Sequence, residues 1–361
     1  MPSPLRPVLA AAAGYAVFTL LGLALHGWTP LWFVWVGERW SEGVIGGRTG
    51  YDGQFVYYLA RDGWGALPHL DAPGYRMSRI LYPLLAALLS GRQATLLPWA
   101  MLAINYVAVV AGTAVLARWL AARDTNPWWA LVYAGCAGTL FAYSRDCTEP
   151  LAYLLATAGT VAWIEERRGR AWVLLALAPM ARETTALFPL GLAAAALASR
   201  HGRGAVGLAA TMLPAQAWQL YVRAHVPGAT AGVWGLLQLL LRLRVPLDLP
   251  VDASHAAGRL LVGLPVLALL PGALAWVLRA PTTPVPWLIA LNALLVLVAP
   301  AESYLHVLAI ARVGVGLVVA LVLAFPVLSP AMRAGVAAIA VLPTLLWLGP
   351  MLWWAPWTAV R

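Results

Sequence analysis

Residues 171–198 read AWVLLALAPMARETTALFPLGLAAAALA, and how that stretch is read decides the fold. Two apolar arms flank Ala181-Arg182-Glu183-Thr184-Thr185. An ionisable side chain at membrane depth is expensive and calls for a partner, so an arginine and a glutamate inside such a run mark a place where charge must be answered. The interruption predicts two short helices that meet near the outer half of a membrane, not one unbroken helix. Arg182 and Glu183 then pair with each other or with groups across a helical bundle, and both structural pairing and anion binding stay open for them.

A membrane setting fits the remainder of the chain. Of its residues 62% are hydrophobic and 11% charged, with a mean hydropathy of +0.77, whereas a soluble domain carries roughly 25% charged residues. Apolar stretches recur along the whole length, each able to cross a hydrocarbon core of roughly 30 Å as a helix. The alternating strands of a closed barrel do not occur. The predicted fold class is an all-α polytopic membrane protein of about ten or eleven transmembrane helices, forming one transmembrane domain over 1–361.

The net charge of +10 rests on arginine, because the chain has no lysine. No basic run is interleaved with exposed aromatics in a soluble segment, so no nucleic-acid partner is expected; the charge serves topology, membrane lipids and phosphates. Cys136 and Cys147 on one helix would lie about 16 Å apart, too far for a disulfide. Arg6 followed by the apolar run Pro7–Leu25, with no small-residue cleavage site after it, predicts an uncleaved first helix.

With the arginine-rich connections placed inside, the first helix runs outward into a long external segment, residues 37–93, expected to hold two interfacial helices. Helices over about 94–117 and 127–143 follow, and then one that Thr148-Glu149-Pro150 opens. The last of these returns to Glu165-Glu166-Arg167-Arg168-Gly169-Arg170, the strongest cytoplasmic signal in the chain. Beyond the split 171–198 region come a helix over about 204–223 and a second external segment, 224–257, in which Gly235–Arg244 is expected as an interfacial helix. Four more helices are expected at about 258–279, 285–300, 304–327 and 334–354. In this scheme Asp52, Asp62, Asp71, Asp146, Glu149 and Glu302 all fall outside or at outer helix ends, so any chemistry faces outward.

Gly50-Tyr51-Asp52-Gly53-Gln54-Phe55 opens a short amphipathic helix on which Phe55, Tyr58 and Leu59 share a face. Asp52 there suits an N-cap, a role compatible with catalysis. Arg76 and Arg79 stand three residues apart before an apolar stretch too short to span, and their guanidinium forks suit phosphate or simple headgroup contact. Glu149 in Thr148-Glu149-Pro150 suits the positive end of a helix dipole. Arg312 lies deep in its apolar run, near Glu302 and His306, and is a second candidate for an anionic ligand. No phosphate-binding glycine loop, metal-ligand spacing or serine-nucleophile elbow occurs.

On these residues the chain resembles the GT-C superfamily of membrane glycosyltransferases, in the pattern of the GPI mannosyltransferases and related bacterial proteins. Tyr51-Asp52-Gly53-Gln54-Phe55, Arg79-Ile80-Leu81-Tyr82-Pro83-Leu84, Thr148-Glu149-Pro150-Leu151 and Ala181-Arg182-Glu183-Thr184 carry the resemblance. Gly53 stands where many members have a second acid, and no large soluble C-terminal domain is expected. The resemblance implies a GT-C-like bundle that transfers a mannosyl or other hexosyl group from a polyprenyl-phosphate donor to an acceptor on the external face of a bacterial inner membrane. It implies Asp52 as general base and Arg79, Arg182 and Arg312 on the donor phosphate. Tyr51, Gln54, Arg76, Tyr82, Arg145, Asp146, Glu149, Glu183, Glu302 and His306 then bind substrate or support the site. The activated phosphate calls for no cofactor, with a divalent metal left open.

The alternative is a transporter or flippase for a lipid or anionic solute, with Arg182, Glu183 and Arg312 lining its path. No repeat between the halves supports it. An accessory subunit without chemistry is the third reading.

Overall fold

The computed structural model describes residues 3–45, 47–226 and 253–353. The described residues form α-helices, 3-10 turns and one π-helical turn, with no strand among them. Four helices are long and apolar enough to cross a membrane: Leu5–Leu25, Leu97–Ala121, Ala256–Arg279 and Pro330–Trp353. A fifth crossing arises if Val307–Val313 and Val315–Val327, bent by 53° at Gly314, count as one broken span. The chain is therefore an all-α integral membrane protein.

The sequence led us to expect ten or eleven spans; among the described residues four or five have the length and apolar character of one, and several of the others expected consist of shorter pieces. The stretch expected as one helix over 127–143 consists of Pro127–Ala130, Leu131–Gly135 and Ala137–Ser144, interrupted at Cys136, whose backbone is extended (φ −69°, ψ 145°). The helix expected over 204–223 is Gly202–Ala210 followed by Leu213–His225. Hydropathy responds to side chains, and a single extended residue leaves it unchanged.

The 171–198 stretch divides as expected. Arg168–Ala181 ends at Arg182, whose backbone is extended (φ −158°, ψ 125°); Glu183–Ala186 makes a 3-10 turn, and Leu187–Ala198 continues. Pro179 near the end of the first arm crowds the preceding turn and lowers the cost of stopping there. Of the second external segment, 224–257, residues 227–252 and with them the expected Gly235–Arg244 helix lie outside the described residues.

Packing places a compact core around the helix Glu149–Ile164, which lies against Leu97–Ala121 on one side and Arg168–Ala181 on the other. Leu5–Leu25 backs onto Leu97–Ala121, and Pro284–Leu297 joins Ala256–Arg279 to Leu187–Ala198. A second apolar cluster, built from Phe55, Tyr57, Met77, Tyr82, Met101 and Leu151, seats the helix Asp52–Asp62. That helix is buried all along Gly53–Ala60 instead of presenting one apolar face. Its first turn meets the Ser144–Cys147 turn backbone to backbone, since a Cβ on Gly53 would collide with the Arg145 carbonyl oxygen. A side chain at residue 53 is excluded by that approach.

A similar approach fixes the broken span. A Cβ on Gly138 would collide with the Ala311 carbonyl oxygen, so Ala137–Ser144 and Val307–Val313 touch through their backbones. The next residue, Arg312, is thereby held in the last turn before the bend.

Candidate functional site

Each arginine drawn from the sequence as a phosphate contact meets a carboxylate inside the bundle. Arg312 reaches Asp52 through a short Nη2 contact with Oδ2, and its Nε lies 2.5 Å from Glu149 Oε1. Arg76 Nη1 lies 3.0 Å from Asp52 Oδ1. The other edge of Arg76 donates two hydrogen bonds to Asp71, at 2.7 and 2.8 Å. Arg182 Nη1 is 2.9 Å from Glu149 Oε1. Arg79 forms a bidentate pair with Glu183, Nε to Oε2 at 2.8 Å and Nη2 to Oε1 at 2.7 Å. Arg79 also contacts the Tyr75 hydroxyl and lies over that ring.

The cluster therefore sets Arg76, Arg79, Arg182 and Arg312 against Asp52, Asp71, Glu149 and Glu183, four charges of each sign. Its carboxylates differ in access. The Glu149 side chain is 0% exposed and that of Asp52 21%. Burial alone would raise the Asp52 carboxyl, but the guanidiniums of Arg312, Arg76 and Arg79 outweigh it and hold Asp52 well below the usual carboxylate range. The contacts of Glu149 are close but lack hydrogen-bond geometry, and its Oε2 and the Arg182 Nε have no hydrogen-bond partner among the described residues.

These contacts correct several expectations. Asp52 is the first residue of its helix, Tyr51 occupies the N-cap position, and no side chain caps it. Glu149 likewise opens its helix without capping it. In both cases a guanidinium outcompetes the backbone N–H groups for the carboxylate. Of the two pairings left open for Arg182 and Glu183, with each other or across the bundle, the second is found: the extended backbone at Arg182 sends the two side chains to Glu149 and Arg79. Arg76 and Arg79 do not share a headgroup-facing surface, because the helix Pro73–Met77 ends between them.

Of the supporting residues, Tyr51 lies under Arg312, with the guanidinium carbon 5.1 Å from its ring centre. Gln54 is structural: it accepts from the Gly37 N–H at 3.0 Å and donates to the Thr49 carbonyl at 2.6 Å, tying the preceding loop to the helix. Tyr82 and Asp146 form a second polar group with Asn105, whose side-chain amide donates to the Tyr82 hydroxyl at 2.8 Å and to Asp146 Oδ1 at 3.2 Å. Arg145, fully buried, is boxed by Trp35, Trp32 and Phe141 and donates to the Ser144 carbonyl at 2.6 Å. Glu302 is exposed in a 3-10 turn, and His306 caps the helix Val307–Val313 by accepting from the Leu308 N–H. Arg312 thus faces Asp52 and Glu149 instead of the Glu302 and His306 neighbourhood expected for it.

Asp71, Asn105 and Cys147 also stand at the site, although none of them was among the site residues expected from the sequence. Cys147 Sγ accepts from Arg312 Nη1 at 3.2 Å. Asn105 did have a signal, as a lone amide inside an apolar spanning run. Asp71 had a weaker one: it stands five residues before Arg76, just ahead of the helix start at Pro73.

Three hollows adjoin these groups. A cleft walled by Asp52, Phe55, Arg76, Arg79, Pro83 and Glu149 has a volume of about 10 Å³, the room of one water molecule. A wider groove of about 530 Å³ runs along the other side of the Asp52–Asp62 helix, past Trp32, Trp35, Tyr57, Tyr58 and Arg61. A third, apolar throughout and about 140 Å³ in volume, is walled by Leu261, Val266, Ala311, Leu317 and Ile339. Among the described residues no three His, Cys, Asp or Glu side chains converge as metal ligands.

An all-α membrane bundle enclosing a charge-balanced arginine–carboxylate cluster is the class that fold and site define. No known protein family, curated protein or solved structure matches the chain.

Proposed function

We propose that this protein is a membrane glycosyltransferase of the GT-C kind. It moves a hexosyl group from a polyprenyl-phosphate donor to a hydroxyl acceptor on the external face of a bacterial inner membrane. The observation that carries the reading is the convergence on Asp52 of arginines from distant parts of the chain, Arg76 and Arg312, with Arg79 and Arg182 one carboxylate further off. Attack on an anomeric carbon needs a base for the acceptor proton, and the departing phosphate needs positive charge at the same place. Asp52 serves as the base; Arg79, Arg182 and Arg312, joined by Arg76, take the phosphate.

The hollows support an amphiphilic donor and a polar acceptor. Ala311 lines the apolar groove while its neighbour Arg312 enters the cluster, so one helical turn addresses both an isoprenoid chain and its phosphate. The aromatic walls of the groove past Trp35 and Tyr57 suit the faces of a sugar ring. The test is transfer from a polyprenyl-phosphate hexose by the purified protein. Asp52→Asn is expected to keep expression and fold and to abolish turnover; unchanged turnover would remove Asp52 from the mechanism.

The helix breaks at Arg182 and Gly314, which bring cations into the bundle, support a second reading, a carrier for a lipid or anionic solute. Alternating labelling of cysteines placed beside Arg182 from the two sides of the membrane would favour transport over transfer.

A further inference from the structure

We propose that the phosphate site of this protein is filled at rest by its own carboxylates, and that Arg76 and Arg312 pass from Asp52 to a lipid phosphate when the donor binds and reacts. The inference rests on reading the arginine cluster as the place of a lipid phosphate. It adds that Asp52 is at once the base and the group the phosphate must displace.

Charge and space lead to this. Each guanidinium of the cluster already faces a carboxylate, and the cleft beside Asp52 has room for about one water molecule. A phosphate group enters only if an ion pair opens. The pairs of Asp52 are the ones that yield, because its side chain is 21% exposed against 0% for Glu149 and 9% for Glu183, and rehydrating it costs least. Arg76 is also turned outward by its two hydrogen bonds to Asp71, whose side chain is 33% exposed. Of the two partners of Asp52 it makes the larger swing, whereas Arg312 keeps its Nε on Glu149 and exchanges only the partner of its Nη2.

Chemistry gives the exchange a purpose. A carboxylate clamped by two guanidiniums holds protons poorly and is a weak base. The groups facing Asp52 are Arg312, Arg76 and Arg79, with Tyr51, Cys147 and Glu149 beside them. Drawing Arg76 and Arg312 onto the donor phosphate raises the proton affinity of Asp52 just when a proton must be taken. In the transfer step the acceptor oxygen bonds to the anomeric carbon and its proton goes to an Asp52 oxygen. The bond from that carbon to the phosphate oxygen breaks, and its electron pair stays on the phosphate. Asp52 loses one negative charge and the phosphate gains one, so the two arginines follow the charge. Once the lipid phosphate leaves, Asp52 gives its proton to water and the ion pairs close again.

The test is binding of undecaprenyl phosphate to the full chain in detergent micelles, read by tryptophan fluorescence, with undecaprenol and inorganic phosphate run in parallel. Asp52→Asn is expected to tighten undecaprenyl phosphate binding about tenfold, one charge-assisted contact no longer contested. Asp71→Asn, outside the packed core, is expected to tighten it about threefold and keeps the test open if Asp52→Asn fails to fold. Undecaprenol binding stays unchanged. If inorganic phosphate tightens equally, the headgroup alone is recognised; if only the lipid tightens, the isoprenoid chain is needed to deliver it. Both outcomes support the exchange. Equal or weaker phosphate binding by both variants overturns it. If that result came with sugar transfer by the unaltered protein, the exchange would fail and the transferase reading would stand. Tighter binding by the variants, with no sugar transfer by the unaltered protein, would keep the exchange and remove the transferase reading.

Discussion

Asp146 and Glu149 lie three residues apart and are both fully buried, yet Glu149 stands between Arg182 and Arg312 while the side chain of Asp146, among the described residues, accepts from Tyr82 and Asn105. Arg145, next to Asp146, has aromatic faces and backbone carbonyls around it and forms no ion pair among the described residues. The turn Ser144–Cys147 thus solves the burial of charge with neutral dipoles and rings, and the adjoining cluster solves it with opposite charge. Removing a partner means different things in the two places. In the cluster it strands an ion. In the turn it removes a dipole or a ring edge.

The sharpest break of this contrast is Arg312→Met against Arg145→Met. Losing Arg312 takes one of two cations from each of Asp52 and Glu149, leaving them Arg76 and Arg182, and so unbalances the buried cluster by one charge; it is expected to cost about 3–5 kcal/mol, the usual penalty for breaking a buried ion pair from one side. It is read as a fall in thermal midpoint in detergent. Losing Arg145 forfeits its ring contacts but frees a cation from burial, and the net is expected within about 1–2 kcal/mol. Equal losses would erase the distinction. A finer comparison sets Glu149→Gln against Asp146→Asn. The first removes the carboxylate of Arg182 and should lower the midpoint clearly. The second keeps an acceptor for the Tyr82 hydroxyl and the Asn105 amide, so it is expected to change stability by less than about 1 kcal/mol.

The smallest effect concerns pH. Native Asp52 is held below its unfolded value, so its contribution is present in full above the unfolded pKa near 4 and is lost as pH falls through the lower native value. The midpoint difference between the unaltered protein and Asp52→Asn should stay level above about pH 5 and narrow at more acid pH. A difference that changed between pH 6 and 8 would place another group in charge of it.

Much of the cluster was legible because charge inside apolar sequence is conspicuous. Asp52, Glu149, the Arg182-Glu183 interruption and Arg312 each stood out against their surroundings, and the division of 171–198 followed from the same cost. Partner choice was not legible. The neighbours Arg182 and Glu183 look like a pair, and only the extended backbone at Arg182 sends them to Glu149 and Arg79. Asp52 looked like a helix cap and Glu149 like a partner of the helix dipole because those roles are local, whereas a guanidinium that claims both comes from residue 312. Long spans were over-counted for a related reason. Cys136 and Gly314 interrupt the helix through backbone angle and close packing, to which apolar character is blind.

The separation of Asp52 from Arg312, 260 residues along the chain, bears on how the protein is made. Arg76 and Asp71 are translated within moments of Asp52, and Glu183 follows to receive Arg79. Arg312 arrives only when most of the helices are already in the bilayer, and until then Asp52 and Glu149 lack a shared cation. The centre of the site is thus among the last parts to close during biosynthesis. A nascent chain halted before residue 312 would hold Asp52 with Arg76 and Glu149 with Arg182 as two separate pairs, one positive charge short of the finished cluster.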